Sequence, residues 1–175
     1  MQHGWHNLKI AARASQPPSV TGRHRYTKSY MKLKQLSLFL ENKSGALSRP
    51  VRLLAKARFN ILTLSIADAN QFGILRLILR DWEKAKKLLE KNGFVVKVTD
   101  MVAVEVSDQP GGLAQILDVV EKAGLNVEFM YAFTEKRENK AILVFRFDDP
   151  DSAIKMLQRS KVNVVASVDL LQQTD

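Results

Sequence analysis

Two stretches decide the fold: "ENKSGAL", Glu41–Leu47, and "SDQPGGL", Ser107–Leu113. Each lies between an apolar run and a second apolar segment. Gly45 and Gly111 are 66 positions apart, as are Leu47 and Leu113, and Asn60 and Asn126. Further on the offset becomes 68, pairing Asp81 with Asp149 and Ala85 with Ala153. The step of two residues places a longer hairpin in the second half, since insertions fall in surface loops. The chain is therefore a tandem repeat.

Working outward, Leu36, Leu38 and Leu40 alternate with other residues, as do Val102, Val104 and Val106, the period of a strand. Leu113, Ile116, Leu117 and Val120 follow i, i+3, i+4, i+7, which predicts an amphipathic helix with that stripe inward; Leu47, Val51 and Leu54 repeat it in the first half. Pro50 falls near the first turn, where a missing N–H does little harm. Gly124 and Asn92-Gly93 suit helix ends. Arg58 stands where the second half has Gly124, so a different helix end is expected there. Ile61–Ile66 and Phe72–Leu79 flank Asp68-Ala69-Asn70, a predicted hairpin turn.

Each half thus reads strand, helix, strand, strand, helix, strand, so the fold class is α+β with two ferredoxin-like domains and antiparallel sheets. The expected division is 1–30 as a disordered basic extension, 31–99 as the first domain and 100–175 as the second. At 65–70 residues a half is marginal alone, so the halves should pack together, with the two sheets pairing edge to edge. "FVVKVTDMVAVEV" leaves almost no linker between them. Trp82 and Met156 lie on inner helix stripes. Tyr131 and Phe133 share one strand face and Met130 takes the other; one set belongs to a core and the other to an interface.

Composition narrows the function. The 175 residues include no cysteine, which excludes disulfides, thiolate metal sites and Cys nucleophiles. All three histidines, His3, His6 and His24, precede Met31, so the repeat lacks the commonest general base and metal ligand. No G-x-S-x-G, P-loop or H-E-x-x-H signature occurs. Asp148, Asp149 and Asp151 sit at a predicted helix start, where acids complement the dipole. The charged run Glu135–Lys140 reads as a solvated turn. A non-enzyme with no cofactor is expected. No run approaches a membrane span, and a cytoplasmic setting is expected. Net charge is +9, but the first 30 residues carry five basic residues and no acid, leaving 22 basic against 18 acidic residues thereafter. The repeat is only mildly basic, a weak argument for nucleic acid. RNA-recognition motifs share this element order, and Phe72-Gly73 fits a fragment of their signature. Ile74 and Leu77 occupy the other aromatic positions, so RNA binding is the third reading.

The two loops join a strand end to a helix start. Amides and the positive dipole end there attract a carboxylate. Gly45, Gly111 and Gly112 would let a ligand approach the backbone, and Asn42 and Asp108 offer acceptors to an ammonium group. An amino acid carries both charges. The same residues also make ordinary turn and capping chemistry.

The loop "DQPGGL", more loosely "NKSGAL", and "AGLNVEF" before the second strand resemble the ACT domain. "FGILRLIL" and "KAILVFRFDDPDSAI" resemble the stand-alone tandem ACT proteins, over about residues 32–171. That resemblance implies a regulatory protein binding an amino acid between paired domains, a homodimer, and a metabolic enzyme as a further partner. It implies ligand contacts from Asn42, Lys43, Ser44, Gly45, Ala46 and Leu47, from Asp108, Gln109, Pro110, Gly111, Gly112 and Leu113, and from the strand starts Asn60-Ile61 and Asn126-Val127. The first half departs from the pattern, with Ser44 for the loop proline and "ARFN" for "AGLN".

Overall fold

The structure, a computed structural model, describes residues 28–69, 71–137 and 139–172; the leader before Lys28 lies outside them. After a 3₁₀ turn (Lys28–Met31), the first half runs β1 (Lys32–Glu41), α1 (Ser48–Lys56), β2 (Thr63–Ala69), β3 (Phe72–Ile78) and α2 (Trp82–Lys91). A long strand, β4 (Val96–Ser107), follows. The second half continues as α3 (Gly112–Lys122), β5 (Val127–Arg137), β6 (Lys140–Phe147), α4 (Pro150–Arg159), β7 (Val164–Val165) and α5 (Ser167–Gln172). This is the expected ferredoxin-like order, twice.

The register carries the repeat residue by residue. Leu36 pairs with Leu77 and Val102 with Phe145; Ser65 pairs with Arg76 and Tyr131 with Val144. These are the same pairings under the offsets of 66 and 68. The two extra residues are taken up by a register shift in β5 between Ala132 and Lys136, on the way to the hairpin tip. β2 pairs Ala69 with Phe72, so Asp68 and Ala69 belong to the strand and not, as expected, to the turn. Likewise residues 135–137 of the charged run lie in β5.

The sheets do not meet edge to edge as two separate sheets. The strand order is β2-β3-β1-β4-β6-β5, with β7 also on β4. One strand serves both halves: β1 takes Val96–Val102 of β4, and β6 takes Val102–Ser107. Val96–Ser107 contains no Gly or Pro to stop it, so the ladder runs through the junction. Twist then brings the far strands around, and Thr63 Oγ1 of β2 donates to the Ala132 carbonyl of β5 at 3.1 Å.

Three cores result. Leu36, Leu38, Leu54, Leu75 and Leu89 fill the first half beneath its helices. Val102, Val104, Ile116, Phe145, Phe147 and Leu157 fill the second. The third lies between the halves, with Leu33, Leu62, Ile78, Met101, Phe133, Ile142 and Val144. Tyr131 and Phe133 pack there, while Met130 packs into the second-half core. Trp82 packs against the first-half core, and Met156 is half-buried.

Two local expectations need correction. On α3 the buried residues are Gly112, Ile116 and Val120, while Leu113 and Leu117 are 36% and 38% exposed. Gly112 sets this rotation: a Cβ there would lie 2.1 Å from the Ser107 carbonyl oxygen, so the helix is seated on its glycine. Arg58 does not avoid the left-handed region; its φ is 60°. The α1 end closes as the α3 end does, with Phe59 N–H on the Leu54 carbonyl and Leu125 N–H on the Val120 carbonyl. Those bonds and the Leu54 packing offset a strain of about 1–2 kcal/mol.

Candidate ligand-binding loops

Both loops are held by one set of backbone hydrogen bonds. Asn42 N–H donates to the Gln71 carbonyl and Asp108 N–H to the Asn139 carbonyl, each at 2.9 Å, tying loop to hairpin tip. Ala46 N–H reaches the Lys43 carbonyl at 3.2 Å, and Gly112 N–H the Gln109 carbonyl at 3.0 Å. Arg49 N–H and Gln115 N–H then bond the carbonyls of Gly45 and Gly111. Gly45 and Gly111 have φ of 83° and 88°, a conformation that strains any residue with a Cβ.

The helix starts behind these loops are electrostatically unlike the others. Leu47 and Gly111 occupy the N-cap positions with no side-chain cap hydrogen bond, and neither first turn holds an acid. α2, α4 and α5 carry Glu83, Asp151 and Asp169 there. In α4, Asp149 also caps by accepting from Asp151 N–H and Ser152 N–H, which accounts for that acidic cluster as a helix start. So α1 and α3 present a less compensated positive end at the glycine-bearing loops. The second loop opens on a hollow of about 330 Å³ lined by Asp108, Gln109, Pro110, Leu113, Ala141 and Leu143. In the first loop Lys43 pairs with Glu41.

The strand starts lie elsewhere. Ser107, before the second loop, pairs with Lys140 at one end of β6, whereas Val127 pairs with Phe147 at the other. Seven residues of strand separate them, about 23 Å. Asn126 faces the β6–α4 junction, where its N–H donates to Asp148 Oδ1 at 3.3 Å. Asn60 is exposed, while Ile61 and Val127 pack against the cores of their own halves. The two loops themselves sit at opposite ends of β4. Within one chain, therefore, a loop and the strand start of its own half do not converge.

Sequence reasoning missed a polar network in the seam between the halves. Tyr131 O–H donates to Gln35 Oε1 at 2.8 Å, and Gln35 Nε2 donates to Ser37 Oγ at 2.9 Å. Burial pushes the Tyr131 phenol well above its usual range, and the nearby Arg76 charge opposes that only partly. The Arg76 guanidinium lies over the Phe129 ring, 4.1 Å from its centroid. The signal was the aromatic alternation Phe129, Tyr131, Phe133; its partner strand has no matching pattern.

A family model described as an ACT domain pair matches residues 31–174. The chain belongs to the ACT domain pair family. This ACT pair is 42% identical to protein BT0572 from Bacteroides thetaiotaomicron, whose solved structure matches with a TM-score of 0.76 over 81% of this chain and 97% of that one. It is 35% identical, over 81 residues, to an acetolactate synthase small subunit from Buchnera aphidicola. That match spans 45% of this chain and 50% of the subunit, about half of each. The ligand-free regulatory subunit of aspartate kinase from Thermus thermophilus shares the fold, with a TM-score of 0.55 at 14% identity over 74% of this chain and 93% of that one. Among the described residues no helix is long and apolar enough to cross a membrane.

Proposed function

We propose that this ACT pair is a non-catalytic regulatory protein of the cytoplasm that senses an amino acid at Asn42–Leu47 and Asp108–Leu113. One observation carries the reading. The same glycine turn is built twice before uncapped, acid-free helix starts, while the other helices are compensated by acids. A ligand carboxylate would complement the amides and dipole, and Asp108 or Asn42 would receive the ammonium group. Because a loop and its own strand start lie at opposite ends of a half, the second wall, Asn60-Ile61 or Asn126-Val127, comes from another copy. The working unit is then a homodimer with ligand at the joint. A ligand that contacts both copies favours the paired state by linkage, and the paired state reports to a metabolic enzyme.

A thermal-shift screen of the full chain against the twenty amino acids tests this. A selective rise is expected, equivalent to about 2.7 kcal/mol at a hundredfold excess over Kd. The Gly111→Val variant, strained at φ 88°, should lose it at the second loop. A flat response at millimolar concentration would favour the second reading, a regulatory subunit acting by protein contact alone. Similarity to an acetolactate synthase small subunit supports that alternative.

A further inference from the structure

A further concavity lies away from both loops. A half-open cleft of about 620 Å³ lies on the first half's helix-free face, walled by the start of β5 and the end of β6. Its apolar end is Phe39 and Ile74; its polar end holds Arg76, Lys97, Thr99 and Arg146. The two carboxylates in its wall are already engaged. Asp100 is paired with Lys34 at 2.5 Å, and Glu128 faces Arg146 at 3.4 Å. Arg76 and Lys97 have no carboxylate partner among the described residues, leaving the cleft two positive charges in excess.

The chemistry of those two cations suits a ligand. Arg76 uses the face of its guanidinium on Phe129, which leaves its in-plane N–H edge for a bidentate oxyanion. Ser37 already accepts from Gln35, so its own hydroxyl proton remains to be donated. The repeat shows that the fold does not require this lining. Under the offsets of 66 and 68, Ser37 and Arg76 correspond to Ala103 and Val144, both fully buried in the seam. The first half keeps a buried hydroxyl and a half-buried guanidinium facing the cleft where the second has a closed apolar seam. The cleft's volume falls within the range of about 300–1,000 Å³ usual for small-molecule sites.

We propose that this cleft binds a small organic anion, a carboxylate or phosphate carried on an apolar body, with the oxyanion on Arg76 and Lys97 and the body against Phe39 and Ile74. The site is separate from the glycine loops and does not depend on the amino-acid reading. Because Phe129, Glu128 and Arg146 come from the second half, the ligand also bridges the halves.

Titration calorimetry of the full chain with phenylacetate and with phenyl phosphate tests this. Benzyl alcohol and inorganic phosphate serve as the uncharged and body-less probes. One of the two anions should bind at least tenfold more tightly than either control, and which one does identifies the oxyanion. Lys97→Met, at an exposed position that leaves the fold intact, should weaken that binding at least fivefold. Arg76→Met, which keeps apolar contact with Phe129, should weaken it at least tenfold. Gly111→Val should leave it unchanged, so loss of the loop response and loss of cleft binding read out separately. Absence of binding by both anions at millimolar concentration overturns the proposal, as does affinity equal to the controls or unaltered by Lys97→Met and Arg76→Met.

Discussion

On the face turned away from the helices, β2 carries Thr63, Ser65 and Ala67 where β5 carries Phe129, Tyr131 and Phe133. Beyond the shift that follows Ala132 the pairing of β5 departs from that of β2, but through Phe129 and Tyr131 the hydrogen-bond register is the same. The side chains are not, and they decide how the halves associate. β5 supplies the bulk that fills the seam, and β2 supplies small groups and a hydroxyl that let it approach. At the far end of the same faces the contrast reverses. The first half exposes Phe39 and Phe72, each 52% accessible, where the second half has Glu105 and Lys140 joined as an ion pair. Duplication fixed the backbone; divergence made one face a filler and the other a surface.

The largest effect should come from Phe133, only 5% exposed between the halves. Phe133→Ala is expected to lower unfolding free energy by about 3–5 kcal/mol, because the cavity is walled by both halves of one continuous sheet, which cannot both close on it. Urea denaturation measures this; a loss below about 1 kcal/mol would mean the seam does not bind the halves into one unit.

Next is the loop pair. Gly112→Ala drives a methyl into the Ser107 carbonyl and should lose about 1–3 kcal/mol by the same assay. The first half already carries Ala46 at that position, so Ala46→Gly should lose under about 1 kcal/mol. Equal losses would show that the two turns are seated alike after all.

Tyr131→Phe removes the hydroxyl donated to Gln35 and should lose about 1 kcal/mol at neutral pH. The phenol's folded pKa is raised, so its contribution is whole below the unfolded value of 10.0 and falls as pH rises beyond it. Stability–pH curves of the wild type should therefore drop more steeply above that point than those of the variant.

The smallest effect is expected from exchanging the exposed pair for its counterpart. Phe39→Glu with Phe72→Lys should leave the unfolding free energy from urea denaturation within about 0.5 kcal/mol, because half-exposed rings bury little and surface ion pairs contribute little. A larger loss would show those rings to be held in a packed environment.

Much of this was legible in the primary structure, for a physical reason. Strand alternation, the glycine turns and the repeat offsets are local signals, and they located the strands and helices of both repeats, but not α5 (Ser167–Gln172), which follows a last strand of only two residues. Arg58 and the α3 stripe misled because each is settled by a contact from elsewhere: Leu54 packing beneath one helix end, and Ser107 beneath Gly112. The loops' backbone could be anticipated from Gly45 and Gly111. Their separation from Asn60 and Asn126 was implicit in the predicted strand–helix–strand order, since a helical crossover returns the chain to the other end of the sheet before the next strand begins.

The chain's own order of residues determined two βαββαβ units with matching loops, because period and turn chemistry act over a few positions. Only the tertiary structure decided that the units share β4, fold face against face and leave a cationic cleft between them. Those outcomes depend on which side chains meet across 60 to 100 residues of sequence, as when Tyr131 reaches Gln35 and Phe129 lies under Arg76.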